Sequence, residues 1–167
     1  MNSYINYFID SYIISLATRY DLKGKRIINS TKKYYYIDTG LRNARLNFIY
    51  SDEGKMLENV IYNELIYNDY KVNVGTFDMF ENDDHGKTMR KSLEIDFLAT
   101  KGNRMYYIQV CYNYSNDATI KREIKPYISL NDQIQKIIVI NKSIGEHRDE
   151  YGFTIIGAVD FMLRFIK

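Results

Sequence analysis

Two short strand-like stretches carry most of the chemistry this chain can offer. Leu93-Glu94-Ile95-Asp96-Phe97 is followed, beyond the turn residues Lys101-Gly102-Asn103, by Ile108-Gln109-Val110-Cys111-Tyr112. Side chains alternate across a strand, so Glu94 and Asp96 are expected on one face, with Ile95 and Phe97 on the other. In the second stretch Gln109 and Cys111 share a face, opposite Ile108 and Val110. Paired as a hairpin, the two would aim Asp96, Gln109 and Cys111 at one small polar site. Clustered carboxylates suit Mg²⁺ or Mn²⁺, hard cations that take oxygen ligands. Such an ion makes hydroxide from water and neutralises a phosphoryl group under attack. Asp96 and Glu94 are the candidate metal ligands on this hairpin. Gln109 adds one neutral oxygen. Cys111 adds no charge, because a thiol near neutral pH is mostly protonated. As a nucleophile it would need a histidine or a helix N-terminus beside it, and His85 and His147 fall in polar loops. Each acid taken singly also fits a solvated surface position.

The elements that must position these residues are legible from periodicity. Residues 2–14 read as an amphipathic helix, 14–20 as a strand, 21–25 as a turn, and 26–29 and 33–37 as two further strands. A short helix at 41–47 precedes the clearest one, at 52–69, with Ser51 as its cap and Glu58, Asn59 and Tyr62 on its flank. Strands at 71–80, 93–99 and 104–112 surround a polar loop at 81–91. A helix at 117–130 containing Pro126, strands at 136–141 and 152–156, and a closing helix at 159–166 complete the order. This order predicts an α/β fold with a mixed central sheet flanked by helices.

The bulk numbers narrow the class. A chain of 167 residues forms one domain, or one domain with a small appendage. No apolar run reaches the length of a membrane helix. Asp10 interrupts the N-terminal apolar stretch and no basic region precedes it, so a cytoplasmic protein without a signal peptide is expected. One cysteine excludes an internal disulfide and a Cys-based zinc site. The 17 tyrosines fit AT-rich coding better than a dedicated base-stacking surface. Charge is uneven: residues 1–48 carry a net +5 and residues 49–167 a net −3. A basic segment ahead of an acidic body points to a polyanion or an acidic partner.

The acidic hairpin resembles the PD-(D/E)XK nucleases of restriction-endonuclease-like fold. There a helix Glu and a strand Asp serve the metal, and the next strand supplies Glu-x-Lys, whose lysine orients the attacking water. Glu58 and Asp96 match the first two places, while the third reads Gln109-Val110-Cys111. A lysine or arginine from another element, such as Lys121 or Arg122, could migrate into the gap. Further blocks occur in order. They are Arg19-Tyr20-Asp21 with Lys23-Gly24-Lys25, Lys33-Tyr34-Tyr35, Asp38-Thr39-Gly40-Leu41-Arg42, and Gly54 with Leu57-Glu58-Asn59 and Glu64-Leu65. Glu94-Ile95-Asp96-Phe97, Tyr107-Ile108-Gln109-Val110 and Thr119 with Arg122-Glu123 follow. Together, over roughly residues 10–165, they resemble the C-terminal domain of unknown function of a family of prokaryotic AAA+ ATPases. That resemblance implies a restriction-endonuclease-like domain following an ATPase and a winged helix, with Gln-Val in the altered slot as a family trait. The chain has no Gly-x-x-x-x-Gly-Lys-Ser/Thr phosphate loop, so ATP hydrolysis does not carry over.

The expected organisation is a winged-helix-like helix and basic β-hairpin at 1–48, then a restriction-endonuclease-like domain at 49–167. The leading functional expectation is a non-catalytic nuclease-fold module with a degenerate site at Glu58, Asp96, Gln109 and Cys111, needing no cofactor. It would bind DNA, another nucleic acid or a protein partner through Arg19, Lys23, Lys25, Arg26, Lys32 and Lys33. The alternatives are a weak Mg²⁺- or Mn²⁺-dependent nuclease, and an interaction domain that forms a homodimer or joins an ATPase partner without nucleic acid. None of these involves a membrane.

Overall fold

The first helix and hairpin come in the expected order, with the helix ending at Asp10 rather than at residue 14: α1 (Asn2–Asp10), then β1 (Ile14–Asp21) and β2 (Arg26–Tyr36) around the 22–25 turn. The computed structural model describes residues 2–49, 52–82, 87–114, 117–130 and 132–167, without the side chains of 2, 3, 30, 82, 117–119 and 121–123. Helix α2 (Thr39–Arg45) is capped by Asp38, whose carboxylate accepts from the Gly40 N–H. Helix α3 (Glu53–Tyr67) is capped by Asp52, which accepts from the Lys55 N–H; the expected cap Ser51 lies outside the described residues. Strands β3 (Lys71–Asn82), β4 (Thr88–Lys101) and β5 (Arg104–Cys111) form a meander. The β4–β5 turn closes on Gly102 at φ +56°, a conformation that glycine adopts without a side-chain penalty. Next come α4 (Asp117–Ser129), β6 (Gln135–Ile140), β7 (His147–Arg148), β8 (Thr154–Gly157) and α5 (Ala158–Asp160), which runs into a π-helical turn at Phe161–Phe165.

The eight strands make one mixed sheet in the order β2-β1-β3-β4-β5-β6-β8-β7. Strand β1 runs parallel to β3 from Arg19 to Asp21, so the hairpin is the edge of this sheet. The segments expected on either side of residue 48 therefore contribute strands to one sheet. The strands expected at 26–29 and 33–37 are one strand, because Thr18 pairs with Lys32 and Arg19 with Ile28, leaving 29–31 as a bulge. The loop expected at 81–91 is shorter: pairing continues to Asn82 opposite Thr88, and His85-Gly86 lies outside the described residues. Helix α4 runs through Pro126 without ending there.

Two apolar layers sandwich the sheet. On one face α3 and the closing turn bury Ile61, Tyr62, Leu65 and Phe161 against Ala17, Phe97, Ile108 and Val139. On the other, α4 buries Ile124 and Tyr127 against Ile95, Tyr107, Cys111 and Ile138. Each fully buried valine, leucine, isoleucine or phenylalanine among them contributes roughly 1.5–3 kcal/mol through area removed from water.

Strand β4 does not alternate cleanly between the layers. Asn73 pairs with Leu98 but Gly75 with Ile95, so Asp96 and Phe97 together oppose Val74. This bulge sends Ile95 into the α4 layer and Phe97 into the α3 layer. The expectation that Ile95 and Phe97 share a face is thereby corrected. A bulge inserts one residue and re-aims the side chains on either side of it.

Candidate functional site

The polar flank of α3 is spent on the β-hairpin. Asn59 forms a two-way bond with the Tyr36 backbone: its Oδ1 accepts from the N–H at 3.0 Å and its Nδ2 donates to the carbonyl at 2.7 Å. Asn63 Nδ2 donates to the Tyr36 and Ile37 carbonyls, both at 3.0 Å. Tyr62 stacks on Tyr35 with ring centroids 4.1 Å apart and planes 15° apart. The Tyr62 hydroxyl lies 2.8 Å from Ser15 Oγ. These contacts hold β1 and β2 against the helix and bring Arg19 and Lys33 over the acidic end of β4.

There the acids meet cations of the same chain. Lys33 Nζ is 2.7 Å from Glu58 Oε1 and 3.1 Å from Glu94 Oε1. Arg19 Nη1 is 2.5 Å from Glu94 Oε2. Tyr35 donates its hydroxyl to Glu58 Oε1 at 2.6 Å, the oxygen that also faces Lys33. Glu58 is the most enclosed of the charged groups here, with 14% of its side chain exposed, against 28% for Lys33. Burial alone would pull the Lys33 ammonium down. The Glu58 charge and hydrogen bond, helped by Asp96 and Glu94, outweigh it and hold the ammonium above its ordinary range. Burial, and then the Glu58 charge, push the Tyr35 phenol far up, so it remains a donor.

Asp96 and Gln109 occupy the fork where β4 and β5 separate. Ladder pairing of these strands begins at Phe97 with Ile108. Just beyond it, Asp96 Oδ2 accepts the Val110 N–H at 2.8 Å, and Gln109 Oε1 accepts the Asp96 N–H at 3.4 Å. Each side chain thus satisfies a backbone donor of the opposite strand, as buried N–H groups require. Cys111 lies elsewhere. It is buried in the α4 layer, on the far side of the sheet from Glu58 and Lys33. The expectation that Asp96, Gln109 and Cys111 face one pocket is corrected here: the slot side chains at 109 and 111 keep to their own face, while the bulge turns Asp96 toward α3.

Of the predicted site residues, the fold brings together Glu58, Glu94 and Asp96, and adds Lys33 and Arg19, which the sequence reading placed among nucleic-acid contacts. Ser15 and Asn63 were not anticipated, and Tyr35 and Asn59 were named only within the helix flank and the blocks that carry the resemblance. The one available signal was alternation: Lys33 and Tyr35 share a face of β2, opposite Ala17 and Ser15. The other basic residues differ in setting. Arg26 lies 3.7 Å from Asp21. Lys23 donates to the Asp78 carbonyl and sits over the Phe77 ring. Lys25 and Lys32 are exposed. His147 is exposed in β7; His85 and the side chains of Lys121 and Arg122 lie outside the described residues. The acid set does not fit a divalent cation as it stands. Two of its three carboxylates are already matched to an ammonium or a guanidinium, and the third accepts a backbone N–H.

The chain is 26% identical over 164 residues to an uncharacterized protein of Haemophilus influenzae, covering 98% of this chain and 37% of that one. It is 34% identical over 158 residues to an uncharacterized protein of Methanocaldococcus jannaschii, covering 95% of this chain and 32% of that one. The chain thus spans about a third of the length of these curated relatives. No family model matches it, and no solved structure matches it. Among the described residues no helix is long and apolar enough to cross a membrane.

Proposed function

We propose that this chain is a non-catalytic module of restriction-endonuclease-like fold, whose former metal position is an internal ion-pair clamp and whose basic hairpin binds nucleic acid. The observation that carries the reading is the place of the Lys33 ammonium, between Glu58 and Glu94. A phosphodiesterase of this kind needs those oxygens for Mg²⁺, and here a tethered cation takes them. Gln109 supplies no charge, and Cys111 is buried on the opposite face. The clamp holds the hairpin on the body, which leaves Lys23, Lys25, Arg26 and Lys32 on the exposed part of the hairpin for phosphate contacts. Contacts of that type release counterions, so affinity falls with salt.

The test pairs two measurements on the whole chain with a 20-base-pair duplex. Fluorescence anisotropy across a salt series is expected to show binding that weakens steeply as salt rises. Incubation with Mg²⁺ or Mn²⁺ is expected to leave the duplex intact. No binding at low salt, or binding indifferent to salt, would remove the nucleic-acid part. Metal-dependent cleavage that disappears in Asp96→Ala would replace the reading with that of a weak nuclease.

A further inference from the structure

We infer that the sheet face away from α3 carries a binding site for a planar aromatic anion of the aromatic carboxylate class. A cleft of about 480 Å³ opens there between the 22–25 turn, the ends of β3, β4 and β5, and the 132–134 loop. That volume lies within the range of small-molecule sites. Tyr20, Leu98, Met105 and Tyr107 supply its apolar and aromatic walls. Flat strand surface of this kind, with a polarisable thioether beside tyrosine rings, favours a planar ring system.

The charge of the cleft selects the sign of the ligand. Lys25 and Lys71 line it and are exposed, and among the described residues neither has an ion-pair partner. The acid in the wall, Asp132, is already matched. Its carboxylate accepts from the Tyr107 hydroxyl at 3.0 Å, from Lys136 Nζ at 3.1 Å and from the Ile134 N–H at 3.2 Å. The cleft therefore presents two ammonium groups without a compensating carboxylate, around an apolar floor. A cationic ligand would be repelled, and a neutral one would leave both ammonium groups unused. The inference goes beyond the nucleic-acid reading, since it concerns a cleft that includes Lys71 and a ligand without phosphate.

The experiment is an NMR titration of the full chain carrying ¹³C-methyl methionine, with 1-naphthoate as probe and 1-naphthalenemethanol as its uncharged counterpart. Saturable movement of the Met105 methyl is expected with 1-naphthoate, while Met162, packed on the α3 side, stays in place. The alcohol is expected to bind about tenfold more weakly, and Lys25→Gln with Lys71→Gln to weaken 1-naphthoate by about tenfold or more, as loss of charge-assisted contacts predicts. A Met105 signal unmoved by 1-naphthoate, equal affinity for the alcohol, or undiminished affinity in the double variant would each overturn the inference. The two-probe comparison uses the unaltered chain, so it stands whatever the variant's stability.

Discussion

Lys33 and Glu58, from the edge strand and the central helix, lie 2.7 Å apart, nitrogen to oxygen. The pair is mostly enclosed, and the same Glu58 oxygen accepts the Tyr35 hydroxyl. It closes a loop of chain between β2 and α3 and sets which carboxylates remain open to anything else.

Removing the ammonium should therefore cost stability. Lys33→Met leaves Glu58 and Glu94 close together with Arg19 as their nearest cation, and is expected to destabilise by about 2–4 kcal/mol. Lys33→Met with Glu58→Gln should lose less than the sum of the single changes, with a coupling above about 1 kcal/mol. Urea denaturation of the four chains checks it, and strict additivity would mean that the pair is not energetically linked.

The clamp also makes stability sensitive to alkali. Lys33 is held above its ordinary 10.5 and Tyr35 above its ordinary 10.0. Both therefore bind their protons more tightly in the folded chain than in the unfolded one. Their contribution is complete below the unfolded values and is lost as pH climbs from about 10 toward the raised folded values. The unfolding free energy is expected to be level through neutral pH and to fall above about pH 10. Phenolate absorbance should show Tyr35 ionising only as the chain unfolds. Tyr35→Phe should shallow the alkaline decline.

At the fork, Asp96 acts on the backbone. Asp96→Ala strands the Val110 N–H and is expected to cost about 1–3 kcal/mol. Asp96→Asn keeps an acceptor oxygen and should cost less than half as much. Thermal melting compares them, and anisotropy should find duplex affinity unchanged in both.

The basic hairpin residues should divide into two groups in DNA binding. Lys25→Gln and Lys32→Gln are each expected to flatten the slope of log affinity against log salt by about 1. Arg19→Gln should leave that slope alone, because Arg19 is engaged by Glu94. A slope that responds to Arg19 and not to Lys25 would reverse the assignment.

A last prediction concerns the closing strand. A Cβ on Gly157 would meet the Lys142 carbonyl at 2.2 Å and the Ile144 N–H and carbonyl at 2.8 and 2.9 Å, all backbone atoms. Gly157→Ala is expected to destabilise by about 1–3 kcal/mol, read as a lowered urea midpoint.

Much of the architecture was legible because burial imposes a period. The buried run at β6, the amphipathic α4 and the Gly102 turn all stand where periodicity and turn chemistry put them. Short β7 has no such signature: a two-residue strand at His147–Arg148 exists only because β8 offers it an edge. The bulge at Asp96 and Phe97 was equally hidden. It arises from the mismatch between β3 and β4, and strict alternation cannot express an inserted residue.

What the chain's sequence by itself determined was the inventory: three carboxylates, a neutral glutamine and a cysteine two residues apart on the neighbouring strand, and a basic segment ahead of an acidic body. Local preferences that act over a few residues placed them on strands and a helix. Only tertiary structure decided their pairing. It carried Lys33 and Arg19 back onto acids 25 and 75 residues away in the chain, and it put Cys111 behind the sheet. The reason is that charge compensation in a half-buried cluster depends on distances between elements, and no local pattern records which elements will meet.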